Sequence, residues 1–158
     1  MLLYGKHGWY DAPDLDFTRL LTALFDTQKA DLDIGFEANI IENHYEPRGA
    51  THYLPAHARN EAGVKMLATT YFLLRGIPFI YQGQEIGMTN CVRNDISEYD
   101  DISTKDQYQA AINAGCTTEA ALPACYEHSP DNARTTMQRD TSPPGGFTTG
   151  PPWTPETP

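Results

Sequence analysis

Positive charge is scarce in this sequence. Eleven Lys and Arg face twenty-one Asp and Glu across 158 residues, a formal net charge of −10, so a phosphate backbone or an anionic bilayer surface is repelled on average. No nucleic acid and no membrane is expected as a partner. Long apolar runs are missing too. The longest strongly apolar stretch free of charge, Met66 to Leu74, falls far short of the roughly 20 residues that a bilayer span takes. Cysteine is sparse: Cys91, Cys116 and Cys125 are odd in number and form no CxxC pair. Residues Met1 to Tyr10 lack the basic, apolar, small order of a secretory leader. Both features point to a reducing, cytoplasmic setting. The sequence also has no Gly-rich phosphate loop and no GxSxG elbow, and Cys91 has no base beside it, which argues against a thiol nucleophile. No cofactor is expected. At 40% hydrophobic residues the core should be lean, and the seventeen aromatic side chains suit a flat, neutral partner even though most belong to core or interface.

The patterning that is present reads helix, strand, helix, strand. After a loop-like start, Phe17, Leu20, Leu21, Leu24 and Phe25 repeat at helical spacing behind Asp14 or Asp16 as N-cap, giving a helix over 15–29. Residues 36–42 have the length and composition of a buried strand, and its tip delivers Asn43, His44, Tyr45, Glu46, Pro47 and Arg48. Asn60 then caps a second helix with Val64, Leu67, Ala68, Tyr71 and Leu74 on one face, ended by Gly76. A second short strand covers 77–81, with Pro78 near its start, where a missing N–H is tolerated. This order implies parallel strands covered by helices, the α/β class. Weaker helical patterns follow at 105–114 and 118–126, the latter against Pro123, which costs about 3 kcal/mol in a helix interior. Residues 141–158 hold six prolines and three glycines, the composition of an extended or disordered tail.

Several residues could carry chemistry. Glu42, His44 and Glu46 alternate so that a continuing strand would present all three on one face, as metal ligands or an acid–base pair. If the strand ends near Asn43, they diverge into a solvated loop instead. His52 and His57 could join such a site or lie on the surface. Glu85 follows the second strand, where α/β proteins place their sites; it is a candidate carboxylate or the group that orders the turn from Gly83 to Gly87. Arg134 offers a forked donor to hydroxyls or a carboxylate, or makes an ordinary surface ion pair.

Four motifs add a resemblance. Ile41 to Arg48 (IENHYEPR), Gly76 to Asn90 (GIPFIYQGQEIGMTN), Asp131 to Gln138 (DNARTTMQ) and Gly146 to Gly150 (GFTTG) occur in this order. Together they resemble the later part of an α-glucosidase or oligo-1,6-glucosidase of glycoside hydrolase family 13, the α-amylase superfamily. The resemblance implies a partial (β/α)₈ TIM barrel: the last two strands with their helices and the long eighth loop, with residues 36–42 as strand seven and 77–81 as strand eight. It divides the chain into a loop-like segment, 1–14, a C-terminal barrel fragment, 15–140, and the tail, 141–158.

The resemblance also implies retaining hydrolysis of α-glucosidic bonds in short oligosaccharides of carbohydrate metabolism. An α-linked gluco-oligosaccharide would be the substrate and no metal would be needed. Such chemistry takes two carboxyl groups about 5–5.5 Å apart astride the scissile bond. In the family these follow strands four and five, so no catalytic residue is intact here, and a missing N-terminal barrel portion is the expected partner. A third family Asp, after strand seven, is replaced by Tyr45 in Asn43-His44-Tyr45. A phenol at neutral pH supplies neither a carboxylate's charge nor its bidentate acceptance. Glu46 lies one residue on and would face the other way. By the same resemblance His44, Arg134 and Arg48 form the substrate-binding set, with His44 and Arg134 on the bound glucose and Arg48 organising the strand-seven loop. Further departures are Thr136, Arg139, Pro144 and Pro151. The chain should be inactive alone; the alternative is a degenerate sugar-binding or assembly module in which Tyr45 stacks on a saccharide.

Overall fold

A computed structural model describes residues 5–30, 32–140, 142, 145–146 and 149–154. The first helix, α1, spans Phe17–Ala30. Of the two candidate caps it uses Asp16, whose Oδ1 accepts from the Arg19 amide at 3.1 Å, satisfying a donor that the first helical turn leaves free. The second long helix, α3 (Glu61–Phe72), starts at Asn60 as expected, with the Asn60 side chain accepting from the Gly63 amide. It stops four residues short of Gly76, which sits instead at the entry to the second strand. Gly76 has a φ of +143°, and a Cβ there would collide with the Glu37 carbonyl oxygen.

Strand β1 (Ala38–Asn39) pairs in parallel with β2 (Ile77–Pro78), Ala38 opposite Ile77 and Asn39 opposite Pro78. Both strands are shorter than the apolar runs suggest, because among the described residues each has a partner strand on one side only. The pairing is carried by Ile77 N to Glu37 O at 2.8 Å and Phe79 N to Asn39 O at 3.0 Å. These donors lie on either side of Pro78, whose missing N–H falls on the open edge and costs the ladder nothing. The apolar side chains Phe36, Ile40, Ile77, Phe79 and Ile80 remain exposed around this pair.

Beyond β1 comes the short helix α2 (Gly49–His52), and beyond β2 a long excursion carrying α4 (Ile102–Asn113) and α5 (Thr118–His128). Helix α4 begins three residues before the expected start because Asp101 caps it, accepting from the Thr104 amide at 2.9 Å. Helix α5 runs through the exposed Pro123. Burial of Ala121 and Cys125 on its inner face, beside the buried Ala111 and Thr104 of α4, outweighs the lost backbone bond. The most deeply buried side chains are largely polar: Arg48, Asn90, Asn132, Thr51, Thr104 and Ser129 are all fully buried with Tyr99, Cys91 and Cys125. The extended tail expected over 141–158 falls partly outside the described residues. Among those described, no helix is long and apolar enough to cross a membrane.

Candidate functional site

The site begins where β1 ends. The Asn43 side chain accepts from the Tyr45 amide at 2.7 Å, and its carbonyl accepts from the Glu46 amide at 3.3 Å, so the chain turns at Asn43 rather than continuing as strand. This turn pushes His44 and Tyr45 outward with their rings 4.0 Å apart, and Tyr45 stays 69% exposed.

The same turn overturns the idea that Glu42, His44 and Glu46 share a face. Glu42 points inward, where its Oε1 accepts from Arg48 Nη1 at 2.7 Å and its Oε2 from the Gly49 amide at 2.9 Å. Burial raises the Glu42 carboxyl above its usual range, and these two donors only partly draw it back. His57 is exposed on a separate turn, and His52 packs against Tyr53 and His128. No group of three or more His, Cys, Asp or Glu able to hold a metal occurs among the described residues.

Arg48 requires a correction. Its side chain is 1% exposed and holds protein groups rather than facing a ligand. Besides Glu42, it donates from Nη1 to the Gln82 carbonyl at 2.7 Å and from Nε to the Asn132 carbonyl at 3.2 Å. Its backbone amide donates to Asn90 Oδ1 at 2.9 Å, and the guanidinium lies 5.5 Å above the Tyr81 ring. Asn132 continues the frame: its Oδ1 accepts from the Cys91 amide and its Nδ2 donates to the Tyr126 and Ser129 carbonyls. Arg48 thus ties the loop after β1 to the turn after β2 and to Asn132, with its side chain enclosed by protein groups.

Arg134 is placed differently. Its Nε donates to the His44 carbonyl at 3.0 Å, and its Nη1 pairs with Asp101 at 3.0 Å and more loosely with Asp131 at 3.7 Å. The side chain remains 32% exposed, leaving it open at the strand tips beside His44. Burial alone would raise the Asp101 carboxyl, but bonds from Ser103, the Thr104 amide and Arg134 outweigh it and hold the group below its ordinary range. Asp131 is anchored in turn by the Asp100 and Asp101 amides at 2.8 and 3.0 Å. Sequence reasoning missed both carboxylates, Asp101 because it lies in a segment without a motif. Glu85 accepts from the Gly83 amide at 2.8 Å and so orders its turn. Burial pushes the Cys91 thiol up, away from the thiolate form.

The model of the alpha amylase catalytic domain matches residues 6–158. The chain belongs to this family. Among its α-amylase-family relatives, the oligo-1,6-glucosidase of Halalkalibacterium halodurans is 38% identical over 149 residues, covering 94% of this chain and 27% of that protein. The trehalose-6-phosphate hydrolase of Bacillus subtilis is 38% identical over 148 residues, or 93% and 26%. Among solved structures, trehalulose synthase from Pseudomonas mesoacidophila MX-45 superposes with a TM-score of 0.83 at 34% identity, covering 95% of this chain and 27% of that one. Isomaltulose synthase from Erwinia rhapontici NX5 gives 0.83 at 32% identity, with 94% and 27% covered. The chain therefore spans about a quarter of the length of the relatives it matches.

Proposed function

We propose that the chain forms the seventh and eighth strands, with their loops, of a (β/α)₈ barrel in a retaining α-glucosidase of the oligo-1,6-glucosidase type. In this reading it binds the glucosyl unit of a short α-linked oligosaccharide. The observation that carries the reading is the bond from Arg134 to the His44 carbonyl. It locks the two residues implicated in sugar binding into one polar cluster at the carboxyl ends of parallel strands, where barrel enzymes build their sites.

In this role the Arg134 fork, fixed at one edge by Asp101, offers its remaining donors to vicinal hydroxyls, and the His44 imidazole offers a directional bond beside them. The two reacting carboxyl groups come from barrel strands that these residues do not supply. Tyr45 occupies the family's third acidic position and brings no negative charge to an oxocarbenium-like transition state. The chain consequently hydrolyses nothing unaided.

The test is complementation. The chain is mixed with a separately produced N-terminal portion of an oligo-1,6-glucosidase barrel, and glucose release from isomaltose is compared for Tyr45 and Tyr45→Asp. The expected result is activity in the Asp form at least about 10²-fold above the Tyr form, the scale of losing one transition-state electrostatic contact. A well-folded complex in which Tyr45→Asp gains nothing would remove position 45 from the catalytic set. A second reading, a sugar-binding module without catalysis, draws on the exposed Tyr45 ring, tilted 45° against His44, which has the amphipathic face that saccharides pack against. Saturable isomaltose binding by the chain alone supports it.

A further inference from the structure

Trp153 lies beyond the GFTTG motif, in the segment whose composition suggests an extended tail. A tight turn precedes it. The Arg139 and Asp140 amides donate to the Gly145 carbonyl at 2.7 and 3.2 Å, and the Gly146 amide donates to the Ser142 carbonyl at 3.1 Å. Gly145 and Gly146 have φ of +68° and +67°, values that a side chain disfavours, and a Cβ on Gly146 would collide with the Asp140 carboxylate. The chain reverses through this turn, and Trp153 returns to the region of Arg134, where the two line one concavity of about 440 Å³. That volume is ordinary for a small-molecule site.

The concavity adjoins the strand tips through a shared residue. Arg134 bonds to the His44 carbonyl and lines the concavity with a partly exposed side chain, so a ligand held by its fork can extend there. In the lining, Arg93, Lys105 and Arg134 stand against Glu98, Asp100 and Asp131, a balance that suits a neutral ligand better than an ion. Lys105 and Asp100 are exposed, so an ammonium donor and a carboxylate acceptor are open to hydroxyls. Trp153 is itself 73% exposed. An indole open to solvent among charged groups offers a flat face to a ring that is apolar on one side and polar at its rim.

We propose that Trp153 is the platform for a second sugar unit, so that the chain recognises an α-linked disaccharide or longer. The first unit lies at His44 and Arg134, and the second lies against the indole with its hydroxyls on Lys105 and Asp100. The inference rests on the strand-tip reading of Arg134.

The test follows the ¹H–¹⁵N resonances of Arg134 Nε and the Trp153 indole in the 158-residue chain as glucose or isomaltose is titrated. Trp9, the other tryptophan, is the internal control, and Trp9→Phe assigns the two indoles. Glucose should move Arg134 Nε alone. Isomaltose should move Arg134 Nε and Trp153 along one saturation curve, with a midpoint at least about fivefold below that of glucose, and leave Trp9 still. Trp153→Ala should raise the isomaltose midpoint to that of glucose, read at Arg134 Nε, whereas Trp153→Tyr should keep most of the gain. Gly146→Ala retains the indole but strains the turn that places it, and should also lose the gain. An unchanged Trp9 resonance reports that these variants remain folded. Equal midpoints for the two sugars, a static Trp153 indole while Arg134 Nε moves, or a Trp153→Ala chain that still favours isomaltose would each overturn the platform and leave the strand-tip reading standing. Failure of both sugars to move either group would overturn both.

Discussion

Replacing Arg48 with methionine isolates the buried node from the rest of the molecule. The substitution retains most of the side-chain volume and its packing against Met88, but strands the Glu42 carboxylate, whose side chain is 2% exposed, with the Gly49 amide as its remaining donor. The Gln82 and Asn132 carbonyls lose the guanidinium as well. Removing one member of a buried ion pair costs about 3–5 kcal/mol, a large share of the 5–15 kcal/mol that holds an ordinary domain together. With a urea slope of about 1–3 kcal/mol/M, the midpoint should fall by roughly 1–5 M, read by far-UV circular dichroism at pH 7. Two controls sharpen the reasoning. Arg48→Met with Glu42→Met should recover part of the loss, since no charge is left behind, although the Gly49 amide then goes without its acceptor. Acidification should also rescue the single variant, because burial already raises the Glu42 carboxyl and protonation relieves the uncompensated charge. A midpoint unchanged by Arg48→Met, or a double variant no better than the single one, would refute the assignment of this energy to the stranded carboxylate.

Gly76→Ala should destabilise by about 1–3 kcal/mol, because its φ is +143° and the new methyl would meet the Glu37 carbonyl; an unchanged melting temperature would contradict this. His128, held down to about 4 by burial and then by the nearby His52, contributes stability that is fully present above the unfolded-state value near 6.5 and lost as pH falls from there toward 4. The loss is on the order of 3 kcal/mol, so melts of His128→Gln should be flatter over that interval than those of the unaltered chain, and parallel curves would exclude the effect. Asp101→Asn keeps a competent helix cap but removes the ion pair to Arg134. It should leave the melt nearly unaltered while weakening glucose affinity of the assembled complex about two- to five-fold, measured by calorimetry, with equal affinities counting against Arg134 as a sugar contact.

Local signals in the sequence were readable where they are self-contained. Asn60 announces its helix, the apolar runs announce paired strands, and the polar cluster after Glu42 marks the strand tip. The two residues expected on the sugar, His44 and Arg134, are found side by side. Distant relations were not readable. Period-two spacing leaves open whether Glu42, His44 and Glu46 share a face or diverge beyond Asn43; the Asn43 side chain turns the backbone, they diverge, and Glu42 is a buried counter-ion to Arg48, a role its spacing does not reveal. Nothing near Arg48 in the sequence reveals that Asn90 and Asn132 will enclose it. Asp101 reads as one more acid in an acidic loop until Arg134 is folded against it. The helix through Pro123 survives by packing, which no propensity records.

Arg48 also sets a constraint on the order in which the molecule can assemble. Its partners are spread along the chain, from Glu42, six residues away, to Asn132, eighty-four residues away. Contacts of such separation carry a large loop-closure entropy and slow folding. A nascent chain synthesised from the N-terminus therefore exposes the half-built node, with its carboxylate and guanidinium already facing each other, until residue 132 has left the ribosome. Only then can the strand tips reach their final form, so the surface around His44 and Arg134 matures after residue 132 has emerged.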